Sequence, residues 1–337
     1  MGDASLSDRV LGCFAALAIG DAMGMPTESL PPDQIRKIYG YVRRFVRAHP
    51  THPYHGLPAG KVTDDTEQAI LMAQIIIENE GVITLERVIN GLIKWAKKTN
   101  FKDKPFYGSN TKRALSMLLE GVRPPESGKL HTTCGGALRS PPIGIVNAGN
   151  PEKAAVEAAF AALPTHSARS AVSGASAIAS AVSEAMSRGS TIRSIVRAAI
   201  KGARIGFKYG EPIFSPSIPL RIKMASKVAM RTINPRRAIS KIYQIFGTSS
   251  QAAEAVPAAI GVFVAARGDP MKAAELGANI GGDTDTIAAL SASIAGAWTG
   301  TSKIDLELLE TIEKVNKLEI RKIAKEMVEL LKRRMDP

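Results

Sequence analysis

The chain has 337 residues, 45% of them hydrophobic and 22% charged, a balance typical of a folded globular protein and not of a disordered one. Its two cysteines, Cys13 and Cys134, cannot supply the disulfide framework of a small secreted protein, so a reducing, cytoplasmic location is expected. The formal net charge is +13, which could indicate binding to nucleic acid. However, only 5% of residues are aromatic and the basic residues are dispersed, so nucleic acid is disfavoured as a partner. A solvated basic surface or an anionic small substrate explains the positive charge equally well.

The first apolar segment runs from Val10 to Ile19. It is too short to span a bilayer, it follows the acidic residues Asp3 and Asp8 where a signal peptide would be basic, and it passes directly into Gly20. We therefore expect a buried helix and no association with a membrane.

Helical spacing of apolar residues dominates the chain, and the alternating patterns typical of strands are almost absent. In one clear example Thr84 acts as a cap, and the apolar positions of the helix that follows are Leu85, Val88, Ile89, Leu92, Ile93 and Ala96. Asn150 and Asp269 each precede a proline, which is a typical helix start.

Two segments, 168–186 and 287–298, are rich in Ala, Ser and Gly, so their backbones can approach neighbouring helices closely. We expect them at the centre of a helical bundle. The segment 306–334 mixes apolar and charged residues and predicts an outer amphipathic helix, or a broken pair of helices.

Pro, Gly, His and Thr interrupt the helical pattern at 31–58, 101–109 and 124–142, where loops are expected. None of these stretches resembles an interdomain linker, and no internal repeat is visible. The sequence therefore predicts a single all-α domain over residues 1–337.

Acidic residues are concentrated in two motifs, Thr63-Asp64-Asp65-Thr66 and Gly281-Gly282-Asp283-Thr284-Asp285-Thr286, each directly before an apolar helical segment. Asp and Thr are favoured as caps at helix N-termini, so paired capping is one interpretation. Metal binding is the other, because two buried carboxylates at each of two helix starts would repel one another without a cation. Oxygen ligands suit Mg²⁺, Mn²⁺ or Ca²⁺ and not zinc. On chemistry alone both interpretations stay open.

These motifs, together with Gly20-Asp21-Ala22-Met23-Gly24-Met25-Pro26-Thr27-Glu28, occur in the order typical of the ADP-ribosylglycohydrolase family, which the chain resembles from about residue 11 to about residue 300. The resemblance implies a compact, all-α orthogonal helical bundle with a central dinuclear site for Mg²⁺ or Mn²⁺. The metal ligands that it implies are Thr63, Asp64 and Asp65 on one side and Asp283, Asp285 and Thr286 on the other.

The same resemblance assigns roles to residues outside the two acidic motifs. Glu28 corresponds to a glutamate on a loop beside the metals, whereas Asp21 is expected to bond to loop backbone. The loop that contains Gly108, Ser109 and Asn110 resembles one that meets the ribose or the phosphates of the substrate. Backbone amides at a helix N-terminus suit such an anion.

One stretch departs from the family pattern. Many members carry an asparagine in a G-N-G-A-type stretch, where this chain has Thr133-Cys134-Gly135-Gly136-Ala137-Leu138-Arg139. If Cys134 aligns with that asparagine, one polar contact is missing, and the substrate contacts expected here are Cys134, Gly135 and Gly136. A nucleophilic role for the Cys134 thiol is disfavoured because no base is identifiable beside it. His166 resembles a histidine close to the substrate cleft, although a cap or a packed ring is an equal alternative.

The sequence therefore predicts a metal-dependent hydrolase that cleaves a ribosyl glycosidic bond, with two divalent cations as cofactors and an ADP-ribosylated protein or another ribosylated compound as substrate. The cations would hold the ribose hydroxyls and activate a water. Catalytic roles fall on Glu28, Asp64, Asp65 and Asp285, one of which acts as general base. A nucleoside or small ribosyl N-glycoside hydrolase with the same metals is an alternative, supported by Cys134. A non-catalytic module that binds ADP-ribose or nucleic acid is another, weakened by the intact acidic positions.

Overall fold

A computed structural model describes residues 4–104 and 106–335, and in these ranges the chain forms seventeen α-helices and no strand longer than an isolated bridge. The all-α prediction is confirmed. In chain order the helices are α1 Leu6–Gly24, α2 Pro32–Tyr39, α3 Asp64–Glu78, α4 Leu85–Lys98, α5 Ser109–Leu119, α6 Gly135–Leu138, α7 Ser140–Val146, α8 Pro151–Ala162, α9 Arg169–Ala185, α10 Ile192–Gly206, α11 Ile218–Arg231, α12 Pro235–Phe246, α13 Ala252–Ala265, α14 Pro270–Ala278, α15 Thr284–Thr299, α16 Leu306–Asn316 and α17 Ile320–Met335.

Helices α1 and α15 are buried along most of their length and pack backbone to backbone. A Cβ atom added to Gly296 would lie 2.1 Å from the carbonyl oxygen of Gly12, and one added to Gly24 would lie 2.5 Å from the Cα atom of Asp285. Only glycine permits such an approach. The end of α1 is thereby placed against the start of α15. The single-domain organisation stays a prediction.

The apolar run in α1 is part of a longer helix than the sequence pattern indicated, since Gly20 to Gly24 continue it. The segment Leu6–Thr27 is long and apolar enough to cross a membrane by length and composition, with a mean hydropathy of 1.4 in its most apolar window. However, 94% of that window is buried inside the protein. The interpretation as a buried helix is confirmed.

Helix α9 confirms that the first small-residue segment lies at the centre of the bundle. Four of its serine hydroxyls donate hydrogen bonds to backbone carbonyl oxygens of neighbouring elements. The pairs are Ser173 with Ala203, Ser176 with Ala155, Ser180 with Pro151 and Ser183 with Asn147. These four short, paired hydroxyls let α8 and α10 pack closely against α9.

The predicted caps are confirmed. Thr84, Asn150 and Asp269 begin α4, α8 and α14, each accepting the N–H three residues further on, at 3.3, 3.1 and 2.9 Å. The segment 306–334 is a broken pair, because Lys317 adopts a left-handed conformation with φ of 55° between α16 and α17.

Two of the three loop predictions were wrong in part. Within 31–58 a helix, α2, begins with proline at its first position and ends at Gly40, which has a φ of 67°. Within 124–142, α6 and the start of α7 form because their buried small residues pack on α8 and α9, and tertiary packing outweighs weak helical propensity. The stretch 101–109 is irregular up to α5, with residue 105 outside the described residues.

The substitution Gly296→Ala is expected to lower the free energy of unfolding by about 1–3 kcal/mol, although alanine is the better helix former, because its Cβ would force α1 and α15 apart. Chemical denaturation measures the change. A matched control is Gly108→Ala, where φ is −58° and nothing lies within 4 Å of the added atom. A Gly296→Ala protein as stable as the wild type would contradict the close-packing argument.

Candidate active site

The two acidic motifs lie at neighbouring helix N-termini, since α3 and α15 begin directly after Thr63 and Asp283. In the turn before α15, Gly281 and Gly282 have φ values of 89° and 78°. A Cβ atom added to Gly282 would lie 2.3 Å from the carbonyl oxygen of Thr248. The paired glycines therefore let the backbone turn sharply and pass close to its neighbour.

An open cavity of about 230 Å³ lies over these helix starts. Its wall contains most of the site residues predicted from the sequence. They are Glu28, Asp64, Asp65, Gly108, Ser109, Asn110, Cys134, Gly135, His166, Asp283, Asp285 and Thr286. Two predicted residues lie outside the wall: the Thr63 hydroxyl caps α3, accepting the N–H of Asp65 at 3.2 Å, and Gly136 packs against Ala162 of α8.

Carboxylates form the base of the cavity. Oxygen atoms of Glu28, Asp283 and Asp285 lie within 4.8 Å of one another. Asp64 accepts a hydrogen bond from Nε2 of Gln68 at 2.5 Å. The four aspartates at the two helix starts are between 4 and 9% exposed.

Burial raises the pKa of each of these carboxyl groups. It raises that of Glu28 to about 7, with the negative charge of Asp283 as the next cause, and that of Asp64 to about 8. The pKa values of Asp65 and Asp285 lie well above the ordinary range, because burial is joined by repulsion from neighbouring carboxylates. The cluster is therefore short of positive charge.

A divalent cation fits this arrangement. Within the described ranges no lysine or arginine forms an ion pair with any of these carboxylates. The Oδ2 atom of Asp65 is enclosed and has no hydrogen-bond partner among the described residues, although a buried carboxylate oxygen normally has one. The side-chain atoms that could bind a metal here are mainly oxygens, which Mg²⁺ and Mn²⁺ prefer as ligands.

Asp21 is buried beside the cluster, but both of its carboxylate oxygens already accept hydrogen bonds. Its carboxylate accepts hydrogen bonds from the N–H groups of Thr63 and Thr66, at 3.0 and 3.1 Å, and from the Thr66 hydroxyl at 2.6 Å. It therefore fixes the start of α3. The structural role predicted for Asp21 is confirmed.

Hydrogen bonds hold the loop of Glu28 on both sides. The N–H of Ser29 donates to the carbonyl oxygen of Gly282 at 2.8 Å, and the N–H of Gly282 donates to that of Leu30 at 3.0 Å. On the other side, His52 Nε2 donates to the carbonyl oxygen of Glu28 at 2.9 Å. The Glu28 carboxylate is the only member of the cluster in the described residues that is half-buried rather than buried.

His166 is a packed, buried ring that also lies in the cavity wall, and its role at the substrate stays a prediction. Its ring nitrogens lie 2.9 Å from the Thr133 hydroxyl and 2.8 Å from the Thr165 hydroxyl. Burial, followed by the charge of Arg139, lowers the pKa of His166 well below its usual value, so the ring is neutral. A side chain at Gly135 would lie 2.5 Å from this ring, so that glycine makes room for it.

Arg139 acts on the acidic cluster through a glutamine. Its guanidinium is fully buried and donates to Gln68 Oε1 at 2.7 Å, while Nε2 of the same glutamine donates to Asp64. Burial lowers the pKa of Arg139 to about 10, a value at which it stays charged at neutral pH. The charge of Arg139 therefore polarises Gln68, which strengthens the hydrogen bond from Gln68 to Asp64 although Arg139 and Asp64 form no direct ion pair.

Cys134 differs from the sequence expectation in one respect, because a carboxylate does lie beside it. Its Sγ donates to Oδ2 of Asp283 at 3.2 Å, and its N–H donates to the carbonyl oxygen of Ser250 at 2.9 Å. Burial and the charges of Asp283 and Asp65 raise the pKa of the thiol well above its usual value. A thiolate is therefore disfavoured, in agreement with the expectation that Cys134 is not a nucleophile.

Several residues of the wall were not predicted. They are Tyr54, Phe106, Thr111, Thr133, Leu138 and Ser250. The rings of Tyr54 and Phe106 lie 4.7 Å apart at an angle of 56° and form an aromatic rim. Both come from irregular segments without periodicity, so no pattern identified them. Thr133 could have been found from its position beside Cys134.

The fold and the site define a class, an all-helical protein with an acidic, oxygen-rich centre beneath an open cavity. A family model described as ADP-ribosylglycohydrolase matches residues 2–337, and this chain belongs to the ADP-ribosylglycohydrolase family, whose activity is of the hydrolase type. Members of this family are generally metal-dependent. The match extends the resemblance seen in the motifs to nearly the whole chain.

Relatives agree with this assignment. YegU, an uncharacterized protein of Escherichia coli K12, is 31% identical over 324 residues, which are 94% of this chain and 96% of the relative. The ADP-ribosyl dinitrogen reductase glycohydrolase of Rhodospirillum rubrum is 26% identical over 149 residues, 44% of this chain and 47% of that enzyme. The solved structure of an ADP-ribosylglycohydrolase-related protein complex has the same fold, with a TM-score of 0.71 and 24% identity over 97% of this chain and 99% of that one.

The metal-free protein is expected to lose stability as the pH rises. Folding raises the pKa of Glu28 to about 7 and of Asp64 to about 8, from about 4 in the unfolded chain. Each group therefore holds a proton in the folded state that the unfolded state releases, and the free energy of unfolding falls as the pH rises through this window. Added Mg²⁺ should oppose the loss, because it binds the deprotonated form.

Thermal unfolding in chelator and in Mg²⁺, at several pH values between about 5 and about 8, measures this effect. Asp285→Asn should raise the stability of the metal-free protein at the upper end of the range and remove most of the stabilisation by Mg²⁺. The expectation fails if the pH dependence is the same with and without Mg²⁺, or if Mg²⁺ stabilises the variant as much as the wild type.

Proposed function

We propose that the chain is a metal-dependent hydrolase that cleaves a ribosyl glycosidic bond and removes ADP-ribose from a protein side chain or a small acceptor. The observation that carries this proposal is the buried carboxylate cluster at the base of an open cavity, with the Asp65 Oδ2 atom lacking a hydrogen-bond partner among the described residues. Family membership supports the reaction type. The Rhodospirillum rubrum relative, named for removing ADP-ribose from dinitrogen reductase, supports the substrate class.

Two divalent cations, Mg²⁺ or Mn²⁺, would be held by the residues of the two helix starts. The proposed ligands are Thr63, Asp64 and Asp65 from one motif and Asp283, Asp285 and Thr286 from the other. When bound, these cations would polarise the ribose hydroxyls and lower the pKa of an attacking water. The burial of the four aspartates keeps competing water away from the ligand oxygens.

Glu28 is the group best placed to take the proton from the attacking water. Its carboxyl group is the one in the cluster that is half-buried, and it lines the open cavity, where it can take up a proton and release it to solvent. His52 is hydrogen-bonded to the backbone of Glu28, and Gly282 is hydrogen-bonded to the two residues that follow it. These bonds keep the Glu28 carboxylate beside Asp283 and Asp285.

The wall opposite the carboxylates would bind the rest of the substrate. Helix α5 begins at Ser109, and Gly108 caps it without a side-chain hydrogen bond, so the backbone amides of its first turn would be available to a phosphate of the substrate. His166 is neutral and bonded to two threonines, and we assign it a positioning role through Thr133 in place of proton transfer. A cytoplasmic location stays a prediction, and Cys13 and Cys134 are both free and buried.

A second candidate function is hydrolysis of a nucleoside or a small ribosyl N-glycoside at the same centre. Two observations favour it. The cavity of about 230 Å³ is smaller than the roughly 300–1,000 Å³ of typical small-molecule sites. The Cys134 thiol donates to Asp283 and provides no amide for a phosphate. A binding module without catalysis is the weakest alternative, since it would not need a cluster of buried carboxylates.

Cleavage assays on an ADP-ribosylated arginine peptide, on free ADP-ribose derivatives and on nucleosides test the proposal, each with Mg²⁺ or Mn²⁺ and again with chelator. We expect Asp65→Asn and the chelator each to reduce turnover by about 10³-fold or more, because several kcal/mol of transition-state stabilisation is lost. Glu329→Gln, which removes a carboxylate from the exposed face of α17, is the matched control and should retain full activity. Cleavage that is indifferent to both chelator and Asp65→Asn, or no cleavage of any substrate, would sink the proposal.

Substrate choice is tested by Cys134→Asn. The added amide should raise the ratio of kcat/KM for ADP-ribosyl substrates over nucleosides by about tenfold, the value of one additional hydrogen bond of roughly 1.4 kcal/mol. Cys13→Ala changes the other buried cysteine, which lies in α1 away from the cavity wall, and should leave the ratio unchanged. A ratio that does not move, or that falls, in Cys134→Asn would contradict a role for this position in specificity.

A further inference from the structure

A second cavity, of about 370 Å³, lies between α2, α12 and the segment Asn279–Ile280. It shares no lining residue with the candidate active site. Its volume falls within the roughly 300–1,000 Å³ of typical small-molecule sites. We therefore refer to it as the α2–α12 cavity.

Two helix faces build the walls of the α2–α12 cavity. Pro32, Ile35 and Arg36 lie one helical turn apart on α2, and Arg236, Ile239 and Ser240 repeat the same spacing on α12. Each face offers an isoleucine and an arginine. Both isoleucines are almost wholly buried and both arginines are exposed, so the cavity is apolar at its base and cationic at its outer edge.

The positive charge of the α2–α12 cavity is not neutralised. Among the described residues that line it, none is acidic, and neither Arg36 nor Arg236 forms an ion pair with a described carboxylate. The guanidinium of Arg236 lies 4.0 Å from the ring centre of Tyr41, and that of Arg43 lies 5.6 Å from it. Lys272 also approaches this ring, at 5.8 Å, but its charge is paired with Glu275 at 2.8 Å.

Tyr41 adds an enclosed polar group to the wall of the α2–α12 cavity. Its hydroxyl makes no well-aligned hydrogen bond among the described residues, and the charged group beside it is the guanidinium of Arg236. The backbone beside it is fixed, since the Asn279 side chain accepts the N–H of Val42 at 3.0 Å and donates to the carbonyl oxygen of Val42 at 2.8 Å. The wall is therefore held in place before any ligand arrives.

From these features we infer that the α2–α12 cavity is a second ligand site, which takes a small phosphate monoester. Two arginines match the charge and the paired oxygens of a phosphate. Pro32 and the ring of Tyr41, both half-buried, would contact the organic part of the same molecule, whereas the isoleucines lie almost wholly in the core. A nucleoside monophosphate and a sugar phosphate share this chemistry, and the arms of the test separate them.

Isothermal titration calorimetry on the full chain tests the inference, with AMP, ribose 5-phosphate and inorganic phosphate as probes. We expect saturable binding of at least one of the two organic phosphates, weakened tenfold or more in the double variant Arg36→Gln, Arg236→Gln. Arg237→Gln is the matched control, because this exposed arginine follows Arg236 on α12 but does not line the cavity. In chelator, where the candidate active site has no cation to hold a ribose, Asp285→Asn should bind the probes as the wild type does, which places binding outside that site.

The opposite results are equally clear. The inference is overturned if neither organic phosphate binds, if the double variant binds as tightly as the wild type, or if Arg237→Gln weakens binding as much. Loss of binding in Asp285→Asn would assign the probes to the other cavity and would also overturn it. Inorganic phosphate that binds as tightly as AMP and ribose 5-phosphate would overturn the role of the apolar wall. Circular dichroism of each variant establishes that it is folded.

Discussion

The close contact between α1 and α15 is the constraint on which the acidic centre depends. Gly12 and Gly296 let the two backbones touch at one end, and Gly24 lets α1 pass over the Cα atom of Asp285 at the other. Because helices are stiff over this length, a spacer at either end would move the whole of α1 away from α15. Glu28 follows α1 after the short 3₁₀ turn Met25–Thr27, so the close packing of glycines in α1 and α15 helps to set how far its carboxylate lies from Asp285.

Hydrogen bonding separates the structural carboxylate of this centre from those that remain available to a ligand. Asp21 is as buried as its neighbours, yet three hydrogen bonds partly offset the cost of burial, and its pKa rises only to about 6. Asp65 has an oxygen with no such partner, and its pKa lies well above the ordinary range. The fold therefore tolerates a local loss of stability at the helix starts, which is typical of functional sites and not of a core selected for stability alone.

The sequence was sufficient for the parts of the structure that rest on local patterns. The caps Thr84, Asn150 and Asp269 and the two acidic motifs are local signals, and the motifs converge as expected. Tyr54 and Phe106 could not be predicted, because they reach the cavity from irregular segments whose path depends on tertiary contacts. The α2–α12 cavity cannot be predicted for the same reason, since its two walls are distant in sequence and the local pattern around α2 is typical of a loop.

The pair of hydrogen bonds between the backbones of Ser29, Leu30 and Gly282 has a consequence for how the protein matures. They join segments about 250 residues apart, and contacts of such high separation form late in folding. An unfolded chain therefore keeps Glu28 and Asp283 apart, and their mutual repulsion arises only when folding closes this long-range contact. An N-terminal portion leaving the ribosome would hold Asp64 and Asp65 but not their counterparts, so a complete acidic centre marks a chain that has finished folding.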